Sequence, residues 1–509
     1  MYGAMADKGS TWLNGVGIIT YPQPEVQPRR VRSSATSRAG RIAWTMLIVG
    51  AVSAYTALVL NAAADSWAGE SVRILGLAVV LLFSMAALSR SPKDRWKTAF
   101  VVWGLVLISE CIFFRSEGEI HANVAAFQGR FPAAAYSEVV GWVVCFVTLL
   151  VLLAPVRQRV RSLFAGDYKW LMFFSMVCVA SCAYAPRPIF GLAWAFKLCL
   201  VTLVLSLCAI QIRDLQHTVS FLCFTFFAYT VVVLQPVILG FATNSLFDEE
   251  GRMSTIVNPD ALSADAAAVF VLALTLFSRV KGEGLRRSAI VFGAVGFVVM
   301  ILAGGKAGIV SGLFAGALFF FLRKGFGSTV GYVVSAALLA CVLALLTPLG
   351  GYFYNYIESD QPGTLSGRTL LWSAVLPAIR QTPIVGHGYL ASMFVALEVN
   401  QVGWDAPHLH NAFVEVLYNN GLIGLILILI INVLIARNLI RVVRRAAPID
   451  PVHRIGAGCL ALYTLLLING FFNASFGGRA RPPFILLLSL VLISDKLLKL
   501  TSRPLARAS

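Results

Sequence analysis

The sequence predicts an all-α, polytopic membrane protein of about 12–14 transmembrane helices, with one large external loop that contains short helices. Three observations carry that prediction. Only 13% of the 509 residues are charged while 58% are hydrophobic, against about a quarter and about half in soluble domains, which excludes a soluble, disordered or fibrous chain. Apolar runs of roughly 20 residues recur from Ile42 to Leu498, each long enough to cross a bilayer as a helix. They are continuously apolar rather than alternating, which excludes a membrane barrel. Finally, the formal net charge of +17 is large enough to suggest a polyanionic partner, but its distribution gives it another meaning.

Residues 1–40 carry Pro22, Pro24, Pro28 and several arginines and read as a basic cytoplasmic tail. No short apolar stretch with a small-residue cleavage site precedes the first span, so this tail is not a signal peptide. Spans follow near 42–63, 74–89, 98–114, 138–155, 168–186, 188–210, 217–241, 260–280, 287–304, 306–322, 330–347, 411–436, 455–475 and 482–498. They make residues 41–498 an integral membrane domain, with residues 499–509 as a second cytoplasmic tail. With Met1 in the cytoplasm, the strongly basic loops Arg29 to Arg41, Arg90 to Lys97, Arg157 to Lys169, Arg279 to Arg287 and Arg437 to Arg454 all fall inside, as the positive-inside rule requires. A span miscounted in the middle would reverse that bias from there onward. The positive charge is thus an orientation signal, and no nucleic-acid partner is expected. The nine cysteines all sit in apolar segments without a CxxC spacing, where Cys acts as a small core hydrophobe, so no metal or disulfide role is expected.

About sixty residues, 348–411, form the one long external loop, and loops of that length in compact domains are usually functional. Its segment Thr364 to Arg380 reads as a turn at Ser366-Gly367 and then an amphipathic helix with Leu371, Trp372, Val375 and Ile379 at helical spacing, a pattern suited to a helix lying on the membrane. Arg368 falls in the first turn, where a cation opposes the helix dipole; a bound anion and a merely solvated side chain explain it equally. Pro407 then ends the loop, and Asn411 caps the following span. His408 and His410 sit at its mouth, and Glu415 lies one turn below Asn411, about 6 Å deeper. A carboxylate entering hydrocarbon is costly and marks a functional candidate. Two further cations share that side: Arg252, ahead of a span beginning with Asp260 and Asp265, and Lys306, in the break beside Gly304, Gly305 and Gly308. Gly308, Gly312 and Gly316, at every fourth residue, read as close helix packing. The segment around Lys306 lacks the spacing of a nucleotide-binding loop.

Taken together, "SGRTLLW", "HLHNAFVEVLYNNGLIGLI" and the long external loop resemble the O-antigen ligase and polymerase superfamily of bacterial inner-membrane glycosyltransferases. The segment "GRMSTIVNPDALSA" is similar to that family's Arg…Asn-Pro-Asn stretch, with Asp260 in the last place, and Gly305-Lys306 stands where the family often has Ser-Arg. The resemblance implies a bacterial inner-membrane protein with both termini cytoplasmic. It implies transfer of a saccharide from a polyprenyl-diphosphate carrier to a glycan hydroxyl at the periplasmic face, with no ATP, metal or other cofactor. Its partners would be that donor, a lipid A core or nascent glycan acceptor, and membrane lipids. Carried onto these positions, Arg368 and Lys306, supported by Arg252, would clamp the diphosphate. His410 would take the acceptor proton, Asn411 and Glu415 would orient or polarise it, and His408 would be the reserve candidate for that base. Direct attack would invert the anomeric centre. A polymerase joining repeat units uses the same chemistry with another acceptor. A polysaccharide transporter or flippase suits the span count equally, but only Glu110 and Lys197 lie well inside spans, whereas transporters place their charged sites at the midplane.

Overall fold

The computed structural model describes residues 95–112, 142–143, 163–164, 166–242, 244–248, 251–253, 258–277, 283–347, 350–351, 354, 368–399, 408–473 and 476–502. The N-terminal tail, the spans expected near 42–63 and 74–89, and nearly all of that near 138–155 lie outside these residues. The other expected spans are helices: α1 (Arg95–Ile112), α2 (Lys169–Ser181), α3 (Pro188–Gln211), α4 (Leu215–Ala242), α5 (Pro259–Phe277), α6 (Glu283–Leu302), α7 (Lys306–Lys324), α8 (Phe326–Leu346), α11 (Ala412–Arg445), α12 (Pro451–Phe472) and α13 (Pro482–Ser502). Between α8 and α11 stand two shorter helices, α9 (Arg368–Gln381) and α10 (Ala391–Val399). Eight helices, α3 to α8 with α11 and α12, are long and apolar enough to cross a membrane, and the chain is a multi-pass, all-α membrane protein. The described residues contain no strand, only an isolated bridge between Phe247 and Met253.

Small residues decide how closely the central helices approach, because lipid offers no hydrophobic drive to hold them together and contact must come from packing. Helix α5 is buried almost throughout, with Ala264, Ala266, Ala267 and Ala268 on its sides. The expected glycine stripe of α7 packs as its spacing predicts: Gly308 rests on Ser263, Gly312 on Met300 and Ala267, and Gly316 on Tyr332. Ser263 donates to the carbonyls of Met300 and Gly305. That places the start of α7 on the starts of α5 and the end of α6. Asn469 of α12 donates to Ser311 of α7 at 2.6 Å, and Asn411 donates to the carbonyl of Phe471. The ends of α6 and α12 and the starts of α5, α7 and α11 therefore share one end of the bundle.

Two expectations are corrected. Helix α9 forms at the expected place, but its apolar face is not spent on lipid: Leu371, Val375 and Ile379 are buried against Leu409, Tyr418 and Ala391. The span beginning at Asn411 is also not one continuous helix. Gly421 takes φ 62°, ψ −161° inside α11, and residues 383–388 fill the break. His387 and Gly388 donate to the freed carbonyls of Tyr418 and Asn419, while Leu422 and Ile423 donate to Pro383 and Ile384. These bonds satisfy backbone groups that hydrocarbon could not. A Cβ at Gly421 would overlap the Ile384 carbonyl, so the insertion needs glycine there twice over, for its left-handed backbone and for the contact.

Candidate functional site

Helix α9 brings Arg368 to the histidines because its buried stripe docks it on the start of α11. Arg368 and Trp372 are one turn apart and share a helix face. The Trp372 indole donates to the Leu409 carbonyl at 2.8 Å, which fixes the short segment carrying both imidazoles. Those rings meet edge to face, with centroids 4.2 Å apart. His410 is 8% exposed and adopts φ 50°, a left-handed conformation that a bulky residue holds only when its surroundings enforce it and that clusters at functional sites. Asn411 caps α11 as expected, accepting from Phe413 and Val414. With its other amide end on Phe471, its side chain fixes the helix mouth and does not reach into the pair.

Burial pushes the His408 imidazole down to about 3, with the Arg481 charge next and those of Arg479 and Arg368 adding to it. Burial also holds His410 well below its ordinary value, with His408 and Arg368 contributing. Cations disfavour a further positive charge, so both rings are neutral at physiological pH and each keeps a nitrogen able to accept a proton. The His410 ring is hydrogen-bonded by the Asn473 side chain, while His408 Nδ1 and Arg368 Nε are buried without a hydrogen-bond partner among the described residues.

Glu415 sits one turn into α11, donating its amide to Asn411, and is 4% exposed. Its carboxylate lies against Gly478, where a Cβ would overlap Oε1. Ser392 stands beside it, and Arg481 and Arg479 are the cations that act on it. Both arginines belong to the turn into α13, which sequence reasoning did not single out. The turn is held by Tyr389, whose hydroxyl donates to the Gly478 carbonyl at 2.7 Å. The Arg479 guanidinium lies over Trp194 and Phe190, 5.1 and 5.8 Å from their centroids, and approaches Met393 Sδ at 2.9 Å. The available signal was Gly477-Gly478-Arg479-Ala480-Arg481-Pro482, two cations and two glycines in an external turn directly before a span.

The structure thus gathers Arg368, His408, His410, Asn411 and Glu415 with Arg479 and Arg481. Arg252 and Lys306 form a separate pair on the same end. Arg252 is tied to Asp248 at 3.3 Å, and the neighbouring Met253 donates to Leu302, which ends α6 beside the Gly305 cap of Lys306.

With this geometry in place, the comparisons with known proteins are specific. Residues 289–429 match the family model described as O-antigen ligase. The segment contains Lys306, Arg368, His408, His410, Asn411 and Glu415, and excludes Arg252, Arg479 and Arg481. The chain is also 36% identical over 78 residues to the exopolysaccharide production protein ExoQ of Rhizobium meliloti (strain 1021), a similarity covering 14% of this chain and 18% of that relative. The docked α9 and the histidine-capped mouth of α11 lie within a recognised unit: residues 289–429 match an O-antigen ligase domain, and with the similarity to ExoQ this supports a likeness to the O-antigen ligase and polymerase superfamily.

Proposed function

We propose that the protein is a membrane glycosyltransferase that moves a saccharide from a polyprenyl-diphosphate carrier to a hydroxyl of an acceptor glycan at the external face of the bacterial inner membrane. The observation that carries this reading is the convergence of two neutral imidazoles, a buried carboxylate and three arginines at one end of the bundle.

Breaking the bond between the anomeric carbon and the diphosphate leaves about two negative charges at headgroup depth. Where water is scarce, fixed guanidinium groups stabilise that developing charge better than solvent does. Arg368, Arg479 and Arg481 meet it from two sides of His408, and Lys306 and Arg252 extend the positive surface where the carrier's diphosphate enters. The acceptor hydroxyl loses its proton as it attacks, and His410 accepts it, with His408 edge-on to it. A diphosphate beside His410 raises its affinity for that proton, since a nearby anion favours the imidazolium. Glu415 holds Arg479 and Arg481 in place from below. Attack opposite the leaving group inverts the anomeric centre and needs no glycosyl-enzyme intermediate.

The ligase reading sends the chain to a lipid A core. Similarity to a protein named for exopolysaccharide production favours a second reading, in which the acceptor is another repeat unit. Loss of a ligase leaves finished polymer on its carrier and bare core; loss of a polymerase leaves single repeat units. Transport is disfavoured because the freed backbone groups at Gly421 are taken by residues 383–388 rather than left for a solute, as broken transporter helices leave them. The deciding assay uses purified His410→Ala and Arg368→Ala proteins with a polyprenyl-diphosphate oligosaccharide. Each should lose transfer by about 100-fold or more, and near-normal transfer by folded His410→Ala removes it as the base.

A further inference from the structure

Lys197 lies on α3 nine residues past Pro188, about 14 Å along the helix axis, and is 1% exposed. An ammonium held inside a membrane bundle is costly and by default functional. At that burial it is out of a substrate's reach, so its influence passes through what it touches. Its Nζ lies over two indoles, 4.8 Å from the Trp194 centroid and 5.1 Å from that of Trp142, and the two rings meet each other at 5.5 Å. Trp194 is the same ring that carries the Arg479 guanidinium at 5.1 Å. Phe190, Trp194 and Lys197 fall at successive turns of one helix face, so α3 presents a column of aromatic, aromatic and cation to the turn before α13.

We infer that Lys197 is a positioning residue for Arg479, acting through Trp194 and resting on the reading of this centre as a transferase. The Lys197 amino group, seated over both rings, holds the indole pair in place. The pinned indole is the wall on which Arg479 lies, with Phe190 and Met393 closing its other sides. Lys197 touches neither donor nor acceptor; it sets where one guanidinium stands when the diphosphate arrives.

The test compares Lys197→Met, which keeps the length of the stem and removes the charge, with Lys197→Arg, which restores a cation over the rings, and Trp194→Leu, which removes the shared wall and leaves Lys197. Two readouts are taken on full-length protein in detergent: steady-state transfer with a polyprenyl-diphosphate oligosaccharide donor, and amide hydrogen exchange of residues 476–481. Lys197→Met should raise the donor KM about tenfold with kcat changed about twofold or less, and should speed exchange in 476–481 alone. Lys197→Arg should restore both, and Trp194→Leu should reproduce the loss. If Lys197→Met does not fold, Trp194→Leu alone decides by the same criteria. Unchanged exchange at 476–481, acceleration spread over the bundle, or loss confined to kcat overturns the inference. Because exchange does not depend on turnover, a faster 476–481 in a protein whose wild type transfers nothing would sink the transferase reading and leave the positioning link standing.

Discussion

The histidine segment and the arginine turn are two halves of one centre built in different ways. The first, drawn from residues 368–415, is close in sequence: a helix with a buried stripe, the segment 408–410 and a capped span. The second joins Arg479 and Arg481 to Trp194 and Lys197, almost three hundred residues away. In the first half a single docking event positions every group. In the second, Arg479 lies against two rings of α3 and the Met393 thioether of α10, and both cations act on the Glu415 carboxylate of α11, so its precision depends on the whole bundle. On the proposed mechanism, the proton transfer at the reacting bond falls to the local half and the charge that meets the leaving group falls largely to the distant one.

The largest effect that tests this division comes from Arg481→Met. Its charge acts on both Glu415 and His408, so its removal should cost transfer by about 10²–10³-fold, the scale of a lost transition-state donor, comparable to Arg368→Met. Full activity would reduce the arginine turn to scaffold and confine the centre to residues 368–415. Next is Gly478→Ala. The added methyl presses on Glu415 Oε1 and should cost about tenfold in transfer while the melting temperature moves little, because the overlap is with one side chain. An equal loss of stability and activity would instead mean that the turn holds the bundle together.

Much of the first half was legible in the sequence, for physical reasons. The 3.6-residue recurrence of Leu371, Val375 and Ile379 identified α9, the Asn411 cap located the mouth of α11, and segregated charge ordered the spans. Periodicity reports which face is apolar but not what covers it, so α9 was expected on lipid, whereas Leu409 and Tyr418 receive it. Gly421 passed for an ordinary helical residue because the strand of chain that fills the break, 383–388, carries no periodic signal. Arg479 and Arg481 were two of several external cations, and only the fold puts them beside Glu415. Lys306 and Arg252 share the end of the bundle that carries the histidines.

The two halves meet electrostatically at His408, and that coupling is measurable. Burial and the Arg481 charge hold this imidazole down to about 3. In Arg481→Met one cause is gone and burial remains, so the pKa should rise and stay below 6.5. Histidine-selective NMR titration reads it directly. The sign for stability follows. A folded pKa below the unfolded one means that the unfolded chain binds more protons, so the contribution is present above about pH 6.5 and lost as pH falls toward 3. His408→Asn should therefore blunt acid unfolding over that range. A His408 that titrates identically in wild type and Arg481→Met would show that the halves do not sense each other.

The smallest effects make the most direct comparison, because each half has one aromatic side chain whose bond to backbone helps pin it. Trp372 donates to Leu409 in the first half and Tyr389 to Gly478 in the second. Trp372→Phe and Tyr389→Phe each remove one donor and should each cost about 1 kcal/mol in stability. Their kinetic consequences should separate. Loosening Leu409 shifts the base that must sit within hydrogen-bond reach of a hydroxyl, so Trp372→Phe should lower kcat about fivefold with KM little changed. Loosening Gly478 shifts cations that bind the diphosphate before and during its departure, so Tyr389→Phe should raise the donor KM by a similar factor. Identical kinetic signatures from the two variants would mean that base and charge are positioned by one rigid unit and that the division between local and distant halves has no functional content.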